Sequence, residues 1–196
     1  MYKTSTDRRF LKNKKEIQHA FMRLVMKKGY HNISVSDIAK EADINRMTFY
    51  AHYDVIEDIF KEFIDDMKNQ ITAAVSSETE FDLDSFFSIL NTSMYQEYDF
   101  FRYVSKENSC SEFCSAFRKA ICDILIFDNS DSTLTNSINT IIAGNIAASC
   151  IATAYLDWLA GSYGKIELDD VLSIVKDMLK DQIKYIRYST TADMIK

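Results

Sequence analysis

The scarcity of residues that break regular structure is the strongest constraint on what this chain can fold into. Its 196 residues include no proline and only four glycines, where average usage would give about ten and about fourteen. Because these two residues punctuate turns and loops, the composition argues against collagen-like repeats, glycine-rich phosphate loops and turn-dense β-sandwiches. With 47% hydrophobic and 27% charged residues, the chain is long and apolar enough to bury a core. We therefore predict an all-α globular protein.

The charge is distributed unevenly along the chain. The formal net charge is −6, yet residues 1–50 contain 11 Lys and Arg against 5 Asp and Glu. Residues 51–196 contain 12 basic against 24 acidic residues. A basic N-terminal segment joined to an acidic remainder is typical of a polyanion-binding module attached to a second module.

The N-terminal segment has the apolar spacing of two consecutive helices. A first amphipathic helix is predicted from about Leu11 to Lys28, and Gly29 follows it in the usual C-terminal position. Ser34 and Asp37 form an S-x-x-D capping box, which predicts the start of a short second helix that ends near residue 42. The two helices are therefore separated by only a few residues.

A third short helix follows almost at once. Asn45 is a good N-cap, so Asp43 and Ile44 are predicted to form a tight turn between two short helices. Two short helices joined by a tight turn, with a preceding helix packed across them, form a helix-turn-helix. Residues 33–53, ISVSDIAKEADINRMTFYAHY, have this form. In such an arrangement the second short helix enters the DNA major groove.

These motifs resemble the tetracycline-repressor (TetR) family of bacterial transcription regulators. The resemblance covers residues 10–65 and rests on the opening helix, the glycine, the Ser-Val-x-Asp-Ile-Ala helix and the Thr-Phe-Tyr-x-His-Tyr helix. It implies a helix-turn-helix DNA-binding domain at 1–54 with a linking helix at 55–75. A helical effector-binding and dimerisation domain is implied at 76–196. The implied function is that of a ligand-responsive repressor that binds a palindromic operator as a homodimer. Asp43 replaces the glycine that the family commonly has in the turn, and Asp tolerates the left-handed conformation.

The residues expected to contact DNA lie in the second and third helices. Arg46 is assigned to a guanine, since its guanidinium can bond O6 and N7 together. Tyr50 and His52 are assigned to phosphates, as their counterparts in the family commonly are. The full set of expected contacts is Ser34, Ser36, Asn45, Arg46, Met47, Thr48, Phe49, Tyr50 and His52. The exposed basic arm, which we expect to add phosphate contacts or else to be simply solvated, comprises Lys3, Arg8, Arg9, Lys12, Lys14 and Lys15.

The aromatic residues of the third helix have two interpretations. Phe49 offers apolar surface to a thymine methyl group if it is exposed. Its helical spacing with Tyr53 equally predicts that both rings are mainly structural. The sequence leaves both interpretations open for Phe49.

Five further helices are predicted beyond residue 76, at about 82–96, 98–107, 111–127, 133–160 and 168–187. Phenylalanines and other large apolar residues crowd the first three. The resemblance implies an effector pocket here, and ordinary core packing is the alternative. The residues assigned to this pocket are Phe86, Phe87, Leu90, Met94, Tyr95, Phe101, Phe113 and Phe117.

The penultimate helix contains an unusually long uncharged run. The 25 residues from Ser132 to Leu156 include no charged side chain, which is long enough for a membrane span. Interrupting polar residues and the absence of flanking aromatic belts argue against that interpretation. The resemblance instead implies a dimeric four-helix interface, and a core helix within one subunit is the alternative. The interface residues assigned are Gly144, Ala148, Ile151, Ala152, Tyr155, Val175, Met178, Leu179 and Ile183.

The rest of the sequence has no pattern typical of an enzyme. Cys110, Cys114, Cys122 and Cys150 lack metal-ligand spacing, and no arrangement of nucleophile, base and orienting group is visible. We therefore expect no catalytic residue, no metal and no cofactor. The polar N-terminus lacks a signal-peptide core, so we expect a cytoplasmic protein. The expected partners are a double-stranded DNA operator, a second copy of the chain and a small-molecule effector. The alternative function is a helical adaptor or co-regulator, including an activator, whose body binds a protein.

Overall fold

The computed structural model describes residues 5–75, 81–106, 111–126 and 138–188. Within these ranges the chain forms nine α-helices, one short 3-10 helix and no strand. The predicted all-α fold is therefore confirmed. The chain divides into two compact units, Met1–Ile64 and Asp65–Lys196, and the boundary falls inside the fourth helix. We call these units the head and the body.

The helices of the head are α1 (Ser5–Lys28), a 3-10 helix (Tyr30–Asn32), α2 (Val35–Glu41), α3 (Arg46–Tyr50) and the first part of α4 (Ile56–Val75). Helix α1 begins earlier than predicted, because the polar residues before Leu11 continue the helix without adding to its apolar stripe. Helix α1 packs against α2, and α2 packs against α3. The buried set is Ile17, Ala20, Phe21, Leu24, Val25, Ile38, Ala39, Phe49, Tyr53 and Ile59.

The body contains the rest of α4 with α5 (Leu83–Gln96), α6 (Tyr98–Lys106), α7 (Ser111–Ile126), α8 (Ile138–Ala160) and α9 (Leu168–Tyr188). These bounds agree with the predicted helices to within a few residues, and predicted positions 133–137 lie outside the described residues. Helix α8 is central, since it packs against α6, α7 and α9. After α8 the chain turns through Gly161 and Gly164, whose φ angles are 84° and 74°, values that suit glycine.

The small-residue side of α8 serves packing within the subunit. A Cβ atom added at Gly144 would lie only 2.5 Å from Cγ2 of Ile126 on α7. Such a distance is far below van der Waals contact, so the glycine permits the close approach of α7 and α8. Ala148 and Tyr155 on the same side are also fully buried.

This packing corrects the predicted dimer interface. Seven assigned residues are at most 5% exposed and so offer little surface to a partner: Ala148, Ile151, Ala152, Tyr155, Val175, Leu179 and Ile183. Gly144 is buried with them. Met178 alone of the assigned set is well exposed. The interpretation of α8 as a core helix is therefore correct for this side. The exposed apolar residues lie on the opposite side, at Ile138, Ile142 and Ile146 of α8 and at Ile174 and Met178 of α9.

Helix α8 is also the one helix in the described ranges that is long and apolar enough to span a membrane. Of its qualifying 18-residue window, 44% is buried within the protein. A core helix passes the same test of length and composition, so this feature supports no membrane assignment.

The residues assigned to an effector pocket form an aromatic core. Seven of the eight are at most 3% exposed. The phenylalanine rings among them make contacts in two groups, Phe86 with Phe87 and Phe101 with Phe113 and Phe117. Phe113, for example, lies 5.4 Å from Phe101 and 6.1 Å from Phe117 between ring centroids. These contacts fit ordinary core packing, and the pocket stays a prediction for these seven. Tyr95 is different: it is 54% exposed, so its assignment to an enclosed pocket is wrong.

Candidate nucleic-acid interface

The start of α2 is fixed by the predicted capping box. The Asp37 N–H donates to Oγ of Ser34 at 3.2 Å, and the Ser34 N–H donates to Oδ2 of Asp37 at 2.8 Å. Nζ of Lys28 lies 2.7 Å from the same carboxylate oxygen. The hydrogen bonds from Lys28 and Ser34 hold the pKa of Asp37 well below its usual range. The capping box is confirmed, and the ion pair between Lys28 and Asp37 ties the end of α1 to the start of α2.

The turn between α2 and α3 has the geometry expected of a helix-turn-helix. Asp43 has a φ of 52°, the left-handed conformation predicted for it. The Ile44 N–H donates to the Ala39 carbonyl at 2.9 Å. Oδ1 of Asn45 accepts from the Thr48 N–H at 2.7 Å and from the Thr48 hydroxyl at 3.0 Å. Asn45 is therefore the N-cap of α3, as predicted, and contact of Asn45 and Thr48 with DNA stays a prediction.

Helix α3 divides its side chains sharply between solvent and core. Arg46 is exposed, Met47 is 83% exposed and Tyr50 is 49% exposed. Phe49 is 0% exposed and packs edge-on against Tyr50, with ring centroids 5.4 Å apart. The assignment of Phe49 to DNA is therefore wrong, because its ring is enclosed by the head. Its alternative assignment, with Tyr53, to a structural role is confirmed.

His52 lies just after α3 in a half-buried position. Its ring centroid is 4.0 Å from that of Phe10 on α1, a contact that the sequence analysis missed. Burial lowers the pKa of His52 below its ordinary 6.5; the charge of Glu62 opposes this shift, and that of Lys14 adds to it. The imidazole therefore favours its neutral form near neutral pH, with one N–H able to donate. Its assignment to a phosphate stays a prediction.

The basic residues of α1 differ in their availability. Arg8, Arg9, Lys12 and Lys15 are exposed. Nζ of Lys14 instead lies 2.8 Å from Oε1 of Glu62, and its side chain is only 20% exposed. Lys3 lies outside the described residues. Of the described arm, four cations are therefore available to a polyanion, and Lys14 mainly holds α1 against α4 within the head.

The surface around α2 completes the candidate interface. Ser34 and Ser36 are both exposed at the start of this helix. Nε of Arg23 on α1 donates to Oε1 of Glu41 at the end of α2, at 2.8 Å. This ion pair and the one between Lys28 and Asp37 hold α2 against α1 at its two ends. Helix α2, which packs against α3, is therefore held in place by interactions within the head.

Among the described residues, Cys114, Cys122 and Cys150 are free cysteines. The described residues contain no group of three or more His, Cys, Asp or Glu side chains that could hold a metal ion. Burial raises the pKa of the Cys114 and Cys122 thiols, which disfavours the reactive thiolate. Cys110 lies outside the described residues.

The sequence of the head matches a known family. Residues 17–63 match the profile of the bacterial regulatory proteins of the tetR family. This segment of the chain is therefore similar to the tetR family. The matched residues run from the middle of α1 into α4 and include all of α2 and α3, so the resemblance noted in the sequence is confirmed.

One curated relative is also similar to part of this chain. It is an HTH-type transcriptional regulator of Bacillus subtilis (strain 168) named YxbF, 35% identical over 82 residues. The alignment covers 39% of this chain and 21% of that protein. The chain thus spans about a fifth of the length of this relative.

Solved tetR-family structures share the fold along most of the chain. A TetR-family transcriptional regulator from Syntrophomonas wolfei has a TM-score of 0.61 and 17% identity over 87% of this chain and 94% of its own. A TetR regulator from Streptococcus agalactiae has the same TM-score, 20% identity and coverage of 89% and 97%. The predicted architecture, a helix-turn-helix head followed by a helical body, is therefore confirmed as a fold.

Proposed function

We propose that this chain is a DNA-binding transcriptional regulator, and that it is a ligand-responsive repressor that binds a palindromic operator as a dimer. The observation that carries the proposal is the exposed surface of α3. Arg46, Met47 and Tyr50 point to solvent from a helix whose start is capped by Asn45 and whose inner side is anchored by Phe49. A short helix held in this way can enter the major groove without rearranging its support.

The exposed side chains of α3 suit the recognition of bases. The Arg46 guanidinium can donate to O6 and N7 of one guanine, which is the commonest specific contact in the major groove. Met47 is apolar and 83% exposed, so it suits the methyl group of a thymine. Tyr50 presents a hydroxyl suited to a phosphate. Together these three residues would select a short half-site.

The contacts with the DNA backbone come from the rest of the head. Ser34 and Ser36 present hydroxyls at the start of α2, where backbone N–H groups are also free to meet a phosphate. Arg8, Arg9, Lys12 and Lys15 add exposed positive charge. Such contacts position the protein on any DNA and make the affinity depend on salt.

Dimerisation would place two α3 helices on one operator. Ile138, Ile142 and Ile146 of α8 form an exposed apolar ridge at four-residue spacing. A mainly apolar groove of about 580 Å³ lies between α8 and α9, and Cys150, Thr153, Ile174 and Met178 contribute to its lining. A ridge and a groove on one surface can each pair with the other in a second copy related by a two-fold axis. We assign this surface, and not the buried small-residue side of α8, to the dimer.

The dimer also supplies the proposed regulation. Two recognition helices must lie about 34–36 Å apart to contact half-sites one turn of DNA apart. A ligand that changes the body so as to alter this separation would weaken operator binding. The protein needs no catalytic residue for this task, so we propose that it is not an enzyme.

Selection of bound sequences from a random pool of duplex DNA tests the proposed function. We expect the full-length chain to enrich an inverted repeat that contains a guanine in each half-site. If no repeat is enriched, the head does not recognise DNA specifically, and the helical adaptor becomes the better interpretation.

A further inference from the structure

Three aromatic rings meet on the surface of the body. Tyr95 lies at the end of α5, Tyr98 at the start of α6 and Trp158 near the end of α8. The two tyrosine ring centroids are 6.2 Å apart, with planes only 16° from parallel. Trp158 lies 6.4 Å from Tyr95 and 6.2 Å from Tyr98, at interplanar angles of 77° and 66°. The centroids therefore form a nearly equilateral triangle.

The triangle is accessible and its geometry is fixed. Tyr95 is 54% exposed, and Tyr98 and Trp158 are partly exposed. Nε1 of Trp158 donates to the Ile166 carbonyl at 3.0 Å, which holds the indole in one orientation. Because Trp158 is steeply inclined to both tyrosines, the rings present differently oriented walls and not one flat stack.

The surroundings of the three rings are strongly acidic. Segments 95–99 and 157–170, which contain the rings, have six acidic residues and one lysine between them. Glu167 and Asp169 are exposed at the start of α9. Burial raises the pKa of the Tyr95 hydroxyl, and the charges of Asp169 and Glu167 raise it further. These carboxylates therefore act electrostatically at the ring cluster.

Exposed aromatic rings surrounded by carboxylates are suited to a cation. The negative faces of tyrosine and tryptophan attract an ammonium group within about 6 Å of a ring centroid, and several rings together recognise quaternary ammonium ions. With centroids 6.2 to 6.4 Å apart, one cation above the triangle can lie within that distance of all three. A quaternary ammonium is weakly hydrated and apolar at its surface, so it matches the rings better than a metal ion does.

We propose that Tyr95, Tyr98 and Trp158 form a binding site for a small organic cation with an alkylated ammonium group, and that Glu167 and Asp169 supply long-range attraction. The site lies entirely in the body and does not depend on recognition of DNA. Failure of this proposal would leave the proposed DNA-binding function intact, and the reverse is equally true.

The single tryptophan of the chain provides a direct test, since Trp158 is the only one. Tetramethylammonium chloride is titrated into the full-length protein at constant ionic strength, and fluorescence and heat of binding are both measured. We expect a saturable change in Trp158 fluorescence that sodium chloride does not produce. Choline should bind more tightly than its uncharged carbon isostere, dimethylbutanol, because only choline gains the attraction between cation and rings.

Variants separate the rings from the general acidity of the body. Tyr95→Ala should weaken tetramethylammonium binding roughly three- to tenfold, and Tyr95→Leu should do the same while keeping apolar volume. Tyr103→Ala, on α6 but outside the triangle, is the matched control and should leave the affinity unchanged. Asp169→Asn should weaken binding mainly at low salt. Circular dichroism checks that each variant is folded.

Three results would overturn the proposal. One is the absence of saturable binding of tetramethylammonium by either measurement. The second is equal affinity for choline and dimethylbutanol, which would indicate an apolar site. The third is unchanged affinity in folded Tyr95→Leu.

Discussion

The head and the body expose opposite kinds of surface from helices of very different length. In the head, the five-residue α3 presents Arg46 and Met47 to solvent and anchors itself with Phe49. In the body, the 23-residue α8 buries its small residues and exposes isoleucines. Recognition of bases needs hydrogen bonds in fixed directions, which polar groups on a capped helix can make. Self-association needs complementary apolar surfaces, which a ridge of isoleucines can provide. In the proposed function the head therefore recognises DNA and the body pairs two copies of the chain.

The largest effect is expected from placing a charge on the buried side of α8. Ala148 is 0% exposed, so Ala148→Glu should bury an unpaired carboxylate and destabilise the body by about 4 kcal/mol or more. Thermal unfolding followed by circular dichroism measures the loss. A stable, well-folded monomer would contradict the account and would restore the small-residue side of α8 as the dimer interface.

Charging the exposed side should have a different result. Ile146 is 62% exposed, so Ile146→Glu should fold normally and weaken self-association on the order of a hundredfold. Sedimentation equilibrium measures the change. Ser88→Glu, at an exposed site on α5, is the control and should leave association unchanged. An unaltered dimer in Ile146→Glu would remove this surface from the account.

In the head, separate variants distinguish base recognition from attraction to phosphate. Arg46→Ala should cost roughly 1–3 kcal/mol on the selected operator and relax the preference at one base pair per half-site. Lys15→Ala should weaken binding to all duplexes about equally and flatten the dependence on salt. Fluorescence anisotropy with matched and mismatched duplexes at two salt concentrations distinguishes these results. Equal losses on every duplex for Arg46→Ala would contradict base recognition.

A smaller effect is expected from removing the cap of α2. Ser34→Ala should cost about 1 kcal/mol of folding free energy, because the Asp37 N–H then has no side-chain acceptor. Urea unfolding followed by circular dichroism measures the change. Ser36→Ala, two residues on and also exposed, should change stability by less than about 0.5 kcal/mol. Equal effects of the two substitutions would show that the capping box does not stabilise the head.

The smallest expected effect is a dependence on pH through His52. Because its pKa in the folded head lies below the ordinary 6.5, the unfolded chain takes up the proton first as the pH falls. Stability should therefore decline as the pH decreases from about 6.5 towards the lowered pKa. Melting temperatures measured across this window should fall less steeply in His52→Gln. If the melting temperatures of His52→Gln and the unaltered chain depend equally on pH, His52 is not the source of the pH dependence.

The head could be predicted from sequence in unusual detail, because its structure is determined by local signals. Ser34, Asp37 and Asn45 are caps that act within three residues along the chain, and Asp43 occupies the left-handed turn that short polar side chains tolerate. The sequence left two roles open for Phe49, and only its surroundings in the folded head decide between them. The contact between Phe10 and His52 joins residues that are distant in sequence, so no local pattern could reveal it.

The body could be predicted only as a set of helices. Charged residues normally mark the outer side of a helix, but the 25 residues from Ser132 to Leu156 include none. The spacing of Gly144 and Ala148 indicated a close helix contact without indicating which helix makes it, and the structure shows that α7 does. The cluster of Tyr95, Tyr98 and Trp158 likewise brings together residues that are 60 or more positions apart in sequence.

The central claim is that the exposed residues of α3 recognise DNA while the exposed side of α8 and α9 pairs two such helices. Selection from random duplex DNA, performed in parallel with the unaltered chain and with Ile146→Glu, tests both parts at once. The account predicts paired half-sites about 34–36 Å apart for the unaltered chain and the same half-site, unpaired, for Ile146→Glu. Paired half-sites enriched by both proteins, or no enriched sequence with the unaltered chain, would contradict it.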